Sequence, residues 1–149
     1  MSNVKDYKNL IAFHPGYYIK EIIDSLGITQ EEFAKRLGTT GKNISKLVNG
    51  EQNLSLDIAR KLSNMLGNDI EFWLNLQKAY EVKVAEIQEK EELDAEISVL
   101  KLIDYKYFCV NFGLPEYKGE LNKKVKELRQ LLKVSSLSLL RNKDLLASF

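Results

Sequence analysis

Apolar residues recur every three or four positions along most of the chain, and glycines interrupt this recurrence at short intervals. Such spacing puts the apolar side chains on one face of a helix, so the pattern predicts a series of short amphipathic helices. Glycine often ends a helix because it adopts the left-handed backbone conformation without a steric penalty. The expected fold is all-α, with little room for strands between Gly16, Gly27, Gly38, Gly50 and Gly67.

Two of the predicted helices have clear start signals. Thr29 precedes a helix over residues 30–37, and Glu32 has the spacing at which a hydroxyl and a carboxylate each accept a free backbone N–H. Thr40 is the expected cap of the following helix, which buries Ile44, Leu47 and Val48. Together with one helix before them and one after, these elements predict four helices beginning near Pro15, Gln30, Gly41 and Leu56.

The rest of the chain is predicted to be helical around an acidic spacer. A longer helix begins at Asn68 or Asp69, and its apolar side breaks over QEKEE, residues 88–92. Leu93 lies six residues after Ile87, about 240° around a helix, so the apolar side resumes on another face. We therefore expect a solvated spacer at 88–92. Two further helices should follow, one from about Glu120 to Lys133 and a short one capped by Ser135 or Ser136. Before them, a helical apolar stripe is expected through Leu93, Ile97, Leu100, Ile103 and Tyr107.

Composition narrows the class of protein. The chain has 149 residues, of which 44% are hydrophobic, which suffices for one sizeable core or for one small core with an extension. The net charge of +1 is unevenly distributed: residues 1–67 carry nine Lys/Arg against seven Asp/Glu, residues 68–104 four against ten, and residues 105–149 nine against four. A DNA-binding surface would therefore have to be local, because the total charge supplies no general attraction to phosphate.

Other features bear on location. The sequence has no run of about 18–20 apolar residues and no pattern of a cleavable signal at its start, so no membrane segment is expected. The single cysteine, Cys109, has no partner for an intrachain disulfide and is expected to be a buried, reduced thiol. These observations together favour a cytoplasmic protein.

The segment TQEEFAKRLGTTGKNISKLVNG, residues 29–50, has the spacing of a helix-turn-helix. Ala34 is small where the two helices cross, Gly38 suits the tight turn, and Ile44 and Leu47 fill the underside of the second helix. A generic four-helix core with the same spacing is the alternative. The predicted organisation is a five-helix, helix-turn-helix DNA-binding domain over residues 14–80, followed over residues 81–149 by a helical C-terminal extension that consists of a long helix and a small group of helices.

In this geometry the second helix of the motif enters the major groove, and the N–H groups at the start of the first helix face phosphate. Lys42 and Lys46 suit guanine acceptors or phosphate, and Asn43 suits adenine or the DNA backbone; for each lysine, a solvated helix face is the alternative. The candidate DNA-binding residues are Thr29, Gln30, Thr40, Gly41, Lys42, Asn43, Ser45 and Lys46.

A homodimer is expected on physical grounds. One module of this size buries too little DNA for tight specific binding, so two copies should read half-sites about 34 Å apart. Trp73, Tyr80 and the apolar stripe that follows them are candidates for the dimer surface, and packing inside the monomer is the alternative for Trp73.

Residues 14–81 resemble HigA-type antitoxins, a branch of the Xre (phage-repressor-like) helix-turn-helix regulators. The HPG start, TQEEFAKRLG, ISKLVNG and FWLNLQ carry the resemblance. It implies a repressor from a bacterial toxin–antitoxin operon, which binds double-stranded operator DNA as a dimer, regulates its own promoter and neutralises an mRNA-cleaving, HigB-like toxin. The acidic stretch Glu81 to Glu96 is a candidate surface for a basic toxin, and a solvated face is its alternative.

Two departures from that family qualify the resemblance. Gly41 occupies the first exposed position of the recognition helix, where relatives often carry a long polar residue. Residues 82–149 exceed a compact antitoxin and resemble the connecting region of regulators fused to a zinc-dependent peptidase-like domain of the ImmA/IrrE kind. The alternative function is therefore a stand-alone Xre-family repressor whose C-terminal helices serve oligomerisation or signal sensing.

An enzyme is not expected. His14 is the only histidine and is interpreted as a helix-start residue, and the sequence has no HEXXH motif. Serine, cysteine and carboxylate residues form no constellation with a general base. No cofactor, metal site or catalytic residue is predicted.

Overall fold

The computed structural model describes residues 2–149, which form two compact units, one ending at Ile87 and the other running Gln88–Phe149. The predicted helical fold is confirmed, with one addition at the N-terminus. In chain order the elements are β1 Val4–Tyr7, β2 Leu10–Phe13, α1 Pro15–Leu26, α2 Gln30–Leu37, α3 Gly41–Val48, α4 Leu56–Leu66, α5 Ile70–Leu100, α6 Tyr105–Phe112, α7 Leu121–Leu132, a 3-10 helix Leu137–Arg141 and α8 Lys143–Leu146.

The addition is an antiparallel hairpin of β1 and β2, which pairs Val4 with Phe13 and Tyr7 with Leu10. The hairpin is anchored to the helical core through Asn3, whose side-chain amide donates to the Val48 carbonyl at 3.0 Å. No strand occurs between Gly16 and Gly67, as the glycine spacing predicts, and the hairpin lies outside that range. The sequence pattern gave no signal for the hairpin, which is tied to a residue 45 positions away along the chain.

Local capping determines where the helices of the first unit begin. The hydroxyls of Thr29 and Thr40 accept the backbone N–H of Glu32 and Asn43, each at 3.1 Å, as predicted. The second half of the predicted reciprocal cap is different, because the Glu32 carboxylate accepts from Arg36 at 3.0 Å. Ser55 caps α4 in the same way as the threonines, through the N–H of Ile58 at 3.2 Å.

The core of the first unit lies among α1 to α4 and the start of α5. Trp73 on α5 is 1% exposed, so it packs inside the unit rather than on its surface. Gln77, one turn further along α5, accepts the backbone N–H of Leu54 at 2.9 Å. The buried members of this core are Ile19, Ile23, Phe33, Ala34, Leu37, Ile44, Leu47, Val48, Leu54, Ile58, Ala59, Leu62 and Trp73.

The predicted spacer at 88–92 does not exist as a break, because α5 runs without interruption for 31 residues from Ile70 to Leu100. The carboxylates that indicated a solvated segment have partners from much later in the chain. Glu89 accepts from Arg129 at 2.6 Å, and Glu92 bonds to the Ser136 hydroxyl. These tertiary contacts stabilise the helical conformation of residues 88–92, although their sequence has no continuous apolar side.

The predicted stripe from Leu93 to Tyr107 is also interrupted. The helix ends at Leu100, Asp104 caps a new helix, and Tyr107 is 53% exposed. Cys109, expected to be buried, is half-buried and makes a 3.7 Å contact with the Pro115 carbonyl.

The second unit has its own apolar core with a charged residue at its centre. Glu96 is fully buried, and its carboxylate accepts hydrogen bonds from Nε of Arg129 and from the backbone N–H of Leu137, each at 2.9 Å. Ser136 caps the 3-10 helix, as one of the two predicted serines. The buried apolar members are Leu93, Val99, Leu100, Tyr105, Val125, Leu128 and Leu137.

Candidate nucleic-acid interface

The helix-turn-helix predicted from the spacing is formed by α2, a turn at Gly38 and α3. Gly38 has φ of 86°, a left-handed conformation that residues with a β-carbon rarely adopt. The ammonium of Lys61 on α4 donates to the Gly38 carbonyl at 3.0 Å and so ties the turn to the next helix. Sequence reasoning missed this contact, because nothing local to Lys61 distinguishes it from a solvated lysine.

The recognition helix α3 is divided sharply between a buried and an exposed side. Ile44 is 0% exposed and Leu47 is 1% exposed, so they hold the helix against the core. Lys42 and Lys46 point into solvent from the opposite side, and so does Asn43. Of the remaining candidates on α3, Gly41 and Ser45 are half-buried. The arrangement leaves both lysines available to an external partner.

The candidate phosphate-positioning residues lie at the starts of α2 and α3. Thr29 and Thr40 are exposed N-caps, and Gln30 is the half-buried first residue of α2. Each threonine oxygen accepts a backbone N–H, which leaves its O–H free to donate to a phosphate oxygen. Helix starts also present N–H groups to anions, so the two starts are suited to the DNA backbone.

Asn43 is held in place by two neighbours, Thr39 and Gln52, that no sequence motif indicates. Its side-chain amide donates to the Thr39 hydroxyl at 3.0 Å, and its main-chain carbonyl accepts from the Gln52 side chain at 3.3 Å. With its side-chain amide and its backbone both restrained, Asn43 presents its side-chain carbonyl oxygen and the second N–H of its amide in a defined orientation. Thr39 and Gln52 are therefore positioning residues for this face.

The position of α3 depends on Gly16 in the first turn of α1. A β-carbon at Gly16 would lie 1.9 Å from the Leu47 carbonyl oxygen, which is much closer than atoms can approach. The backbones of α1 and α3 therefore meet directly at this point. The sequence offers one signal for this close approach. Gly16 directly follows Pro15 at the start of a helix, where a glycine has no role in ending the helix.

The charge around α3 is locally positive. No aspartate or glutamate occurs from Gly38 through Gly50. The nearest acids upstream are Glu31 and Glu32 on α2, and Glu32 is paired with Arg36. Across residues 2–149, no three side chains of the metal-binding types lie together as a metal site, and no helix has the length and apolarity to cross a membrane.

Comparison with known proteins gives one family. The model of the helix-turn-helix family HTH_3 matches residues 19–73. Virulence-associated protein A' of Dichelobacter nodosus is 44% identical over 70 residues, which are 46% of this chain and 61% of that protein. The chain thus spans under two thirds of the length of this relative.

Two solved structures have a similar fold. One, from Nostoc punctiforme, is described as an antidote protein of a plasmid maintenance system, with 37% identity and a TM-score of 0.54. The other is an addiction module antidote protein of a HigA family from Coxiella burnetii, with 30% identity and a TM-score of 0.51. Each match covers 56% of this chain and 92% of the other. The chain belongs to the Xre-type helix-turn-helix family that includes the HigA antitoxins.

Proposed function

We propose that the chain is a sequence-specific transcriptional repressor that acts as the antitoxin of a HigBA-like toxin–antitoxin module. The observation that carries the proposal is the exposed face of α3, where Lys42 and Lys46 project from a helix anchored by Ile44 and Leu47. Similarity to the HigA-family antidote protein of Coxiella burnetii supports the antitoxin role.

The proposed DNA complex follows from the geometry of the site. The N-terminal half of α3 enters the major groove, where Lys42 and Lys46 meet guanine acceptors or phosphate, and Asn43 contacts adenine or the backbone. Thr29, Gln30 and Thr40, at the two helix starts, bind phosphate, while Gly41 and Ser45 allow close approach. A homodimer places two such faces on one operator, and the protein acts where that operator lies, in the bacterial cytoplasm.

The antitoxin half of the proposal requires a second partner, a HigB-like toxin that cleaves mRNA. The acidic stretch Glu81 to Glu96 supplies fewer free carboxylates than its composition indicates, since Glu89, Glu92 and Glu96 bond within the second unit.

A gel-shift assay tests the DNA-binding half directly. The full chain is titrated onto its own upstream DNA and onto a scrambled duplex, with and without the product of the neighbouring gene. We expect a shift of the upstream DNA alone, lost or weakened for Lys42→Ala and Lys46→Ala. Equal binding of both variants and the parent chain would reject α3 as the reading face.

Co-expression tests the antitoxin half. The chain is expected to restore growth to cells that express the neighbouring toxin and to copurify with it. Failure of both with DNA binding intact would refute the antitoxin role and leave the repressor.

A second candidate function is a repressor that works without a toxin. It is favoured by the second unit, Gln88–Phe149, which has its own apolar core and lies beyond the family match at residues 19–73. In that case the C-terminal helices serve oligomerisation or sensing of a signal. Deleting the neighbouring gene distinguishes the two, because a stand-alone repressor needs no toxin for full regulation.

A further inference from the structure

A cavity of about 440 Å³ opens on the second unit, between α6 and the segment that leads into α7. Tyr105, Lys106 and Cys109 line it from α6, Tyr117 and Lys118 from the connecting segment, and Lys124 from α7. Its volume falls within the range of about 300–1,000 Å³ that is usual for small-molecule sites. None of these residues belongs to the DNA-binding face.

The charges on the cavity wall are predominantly positive. Among the residues that the structure describes, no carboxylate pairs with Lys106, Lys118 or Lys124, whereas the adjacent Lys123 is paired with Glu120 at 2.8 Å. Glu116 is the one acid in the wall. The Glu127 carboxylate lies just outside the wall, 2.9 Å from the Tyr117 hydroxyl, so three cations and two nearby carboxylates leave an excess of one positive charge, which favours an anionic ligand.

The wall is held in shape by hydrogen bonds that do not involve the lysines. The Tyr105 hydroxyl donates to the Pro115 carbonyl at 2.7 Å, and the Tyr117 hydroxyl donates to the Glu127 carboxylate at 2.9 Å. Burial raises the pKa of Tyr105 to about 12, which keeps the donating hydroxyl protonated well above neutral pH. The Lys124 ammonium lies 5.3 Å from the centre of the Tyr105 ring, whereas Lys106 and Lys118 are exposed and can turn toward a ligand.

The cations of the wall are compatible with a phosphate. Lysine binds phosphate commonly, as a flexible point charge, whereas the planar fork of arginine binds both carboxylate and phosphate in a fixed geometry. All three cations of the wall are lysines. Glu116, which disfavours an anion, can accept an N–H of a base attached to that phosphate, and the tyrosine rings offer apolar contact.

We propose that this cavity binds a phosphate-bearing ligand of nucleotide size, with the phosphate among Lys106, Lys118 and Lys124. The phosphate belongs either to a free nucleotide or to the backbone of a nucleic acid. The proposal is independent of the DNA-binding role of α3, because its residues lie wholly in the second unit.

Cys109 supplies a natural reporter for the test, since it lines the cavity and is the only cysteine of the chain. The full chain is alkylated with iodoacetamide, a neutral reagent, in the presence of ADP, inorganic pyrophosphate or a short single-stranded oligodeoxynucleotide. Isothermal titration calorimetry with the same three probes measures the affinity. We expect a bound phosphate ligand to slow alkylation several-fold and to give measurable heat.

Lysine variants test whether the protection of Cys109 from alkylation depends on the lysines of the cavity wall. Lys106→Gln and Lys118→Gln change exposed side chains and are each expected to weaken binding about tenfold. Lys126→Gln is the matched control, because it changes an exposed lysine of α7 outside the cavity and should leave the affinity unchanged.

The outcomes separate the sources of phosphate. Protection by ADP or pyrophosphate supports a free ligand, whereas protection by the oligodeoxynucleotide alone supports a nucleic-acid backbone. Absence of both heat and protection with all three probes overturns the proposal. An equal loss of affinity in Lys126→Gln also overturns it, since the binding would then reflect only the general charge of the unit.

Discussion

Replacement of Gly16 by alanine tests how α1 positions the recognition helix. The new β-carbon would lie 1.9 Å from the Leu47 carbonyl oxygen and 2.9 Å from the Val48 α-carbon. A favourable C···O contact is about 3.3 Å, so α1 and α3 would have to separate by more than about 1 Å. Both obstacles are backbone atoms, which no change of side-chain rotamer can move.

The expected magnitude is a balance of two effects. Alanine is favoured over glycine in a helix by up to about 1 kcal/mol. Forcing extra atoms into a packed core costs about 1–3 kcal/mol and sometimes more. Because the clash at Gly16 is severe, we expect Gly16→Ala to lower the free energy of unfolding of the first unit by about 2 kcal/mol after the gain in propensity.

Urea denaturation followed by tryptophan fluorescence measures this loss. Trp73 is the only tryptophan and lies in the core of the first unit, so its signal reports that unit alone. Gly41→Ala is the matched control, since a β-carbon there would be 3.9 Å from the nearest atom, the Glu31 Cγ. The control should be neutral or stabilised by up to about 1 kcal/mol.

A Gly16→Ala variant as stable as the parent chain would refute the close approach of α1 and α3. Operator binding gives a second readout. At a temperature where the variant remains folded, displacement of α3 should still weaken binding, whereas a change in stability alone would not.

Three further predictions concern charge. Lys42→Ala and Lys46→Ala should each reduce the slope of log affinity for DNA against log salt concentration by about one if the lysine contacts phosphate. If the lysine reads guanine, the variant should instead relax the base preference at one operator position. Lys78→Ala is the control and should change neither the slope nor the base preference. Glu96→Gln should destabilise the second unit by about 3 kcal/mol, because the largely buried Arg129 guanidinium loses the charge of Glu96 and keeps only the exposed Glu89 as an ionic partner; circular dichroism should show the loss, and an unchanged unfolding midpoint would contradict it. Burial lowers the pKa of His14, although a contact with the backbone of Gln52 opposes the shift, so the folded state favours the neutral imidazole. The stability of the first unit should therefore fall as the pH drops below about 6.5. Unfolding of the His14→Asn variant, monitored by fluorescence, should lack that pH dependence.

The sequence by itself determined the elements whose signals are local. The hydroxyl caps at Thr29 and Thr40 and the left-handed turn at Gly38 lie within a few residues of the helices that they delimit. The inner positions Ile44 and Leu47 follow from helical spacing alone. These features suffice to predict the helix-turn-helix and to indicate which lysines are exposed, because each depends on backbone geometry within one or two helical turns.

Only the tertiary structure decided the features that depend on distant partners. The N-terminal hairpin is tied to Val48, and α5 continues past residue 88 because Arg129 and Ser136 supply partners for its carboxylates. A carboxylate that faces solvent and one that meets a buried arginine look the same in the sequence. Their difference is the free energy of pairing a desolvated charge, and this depends on which chain segment packs against the helix.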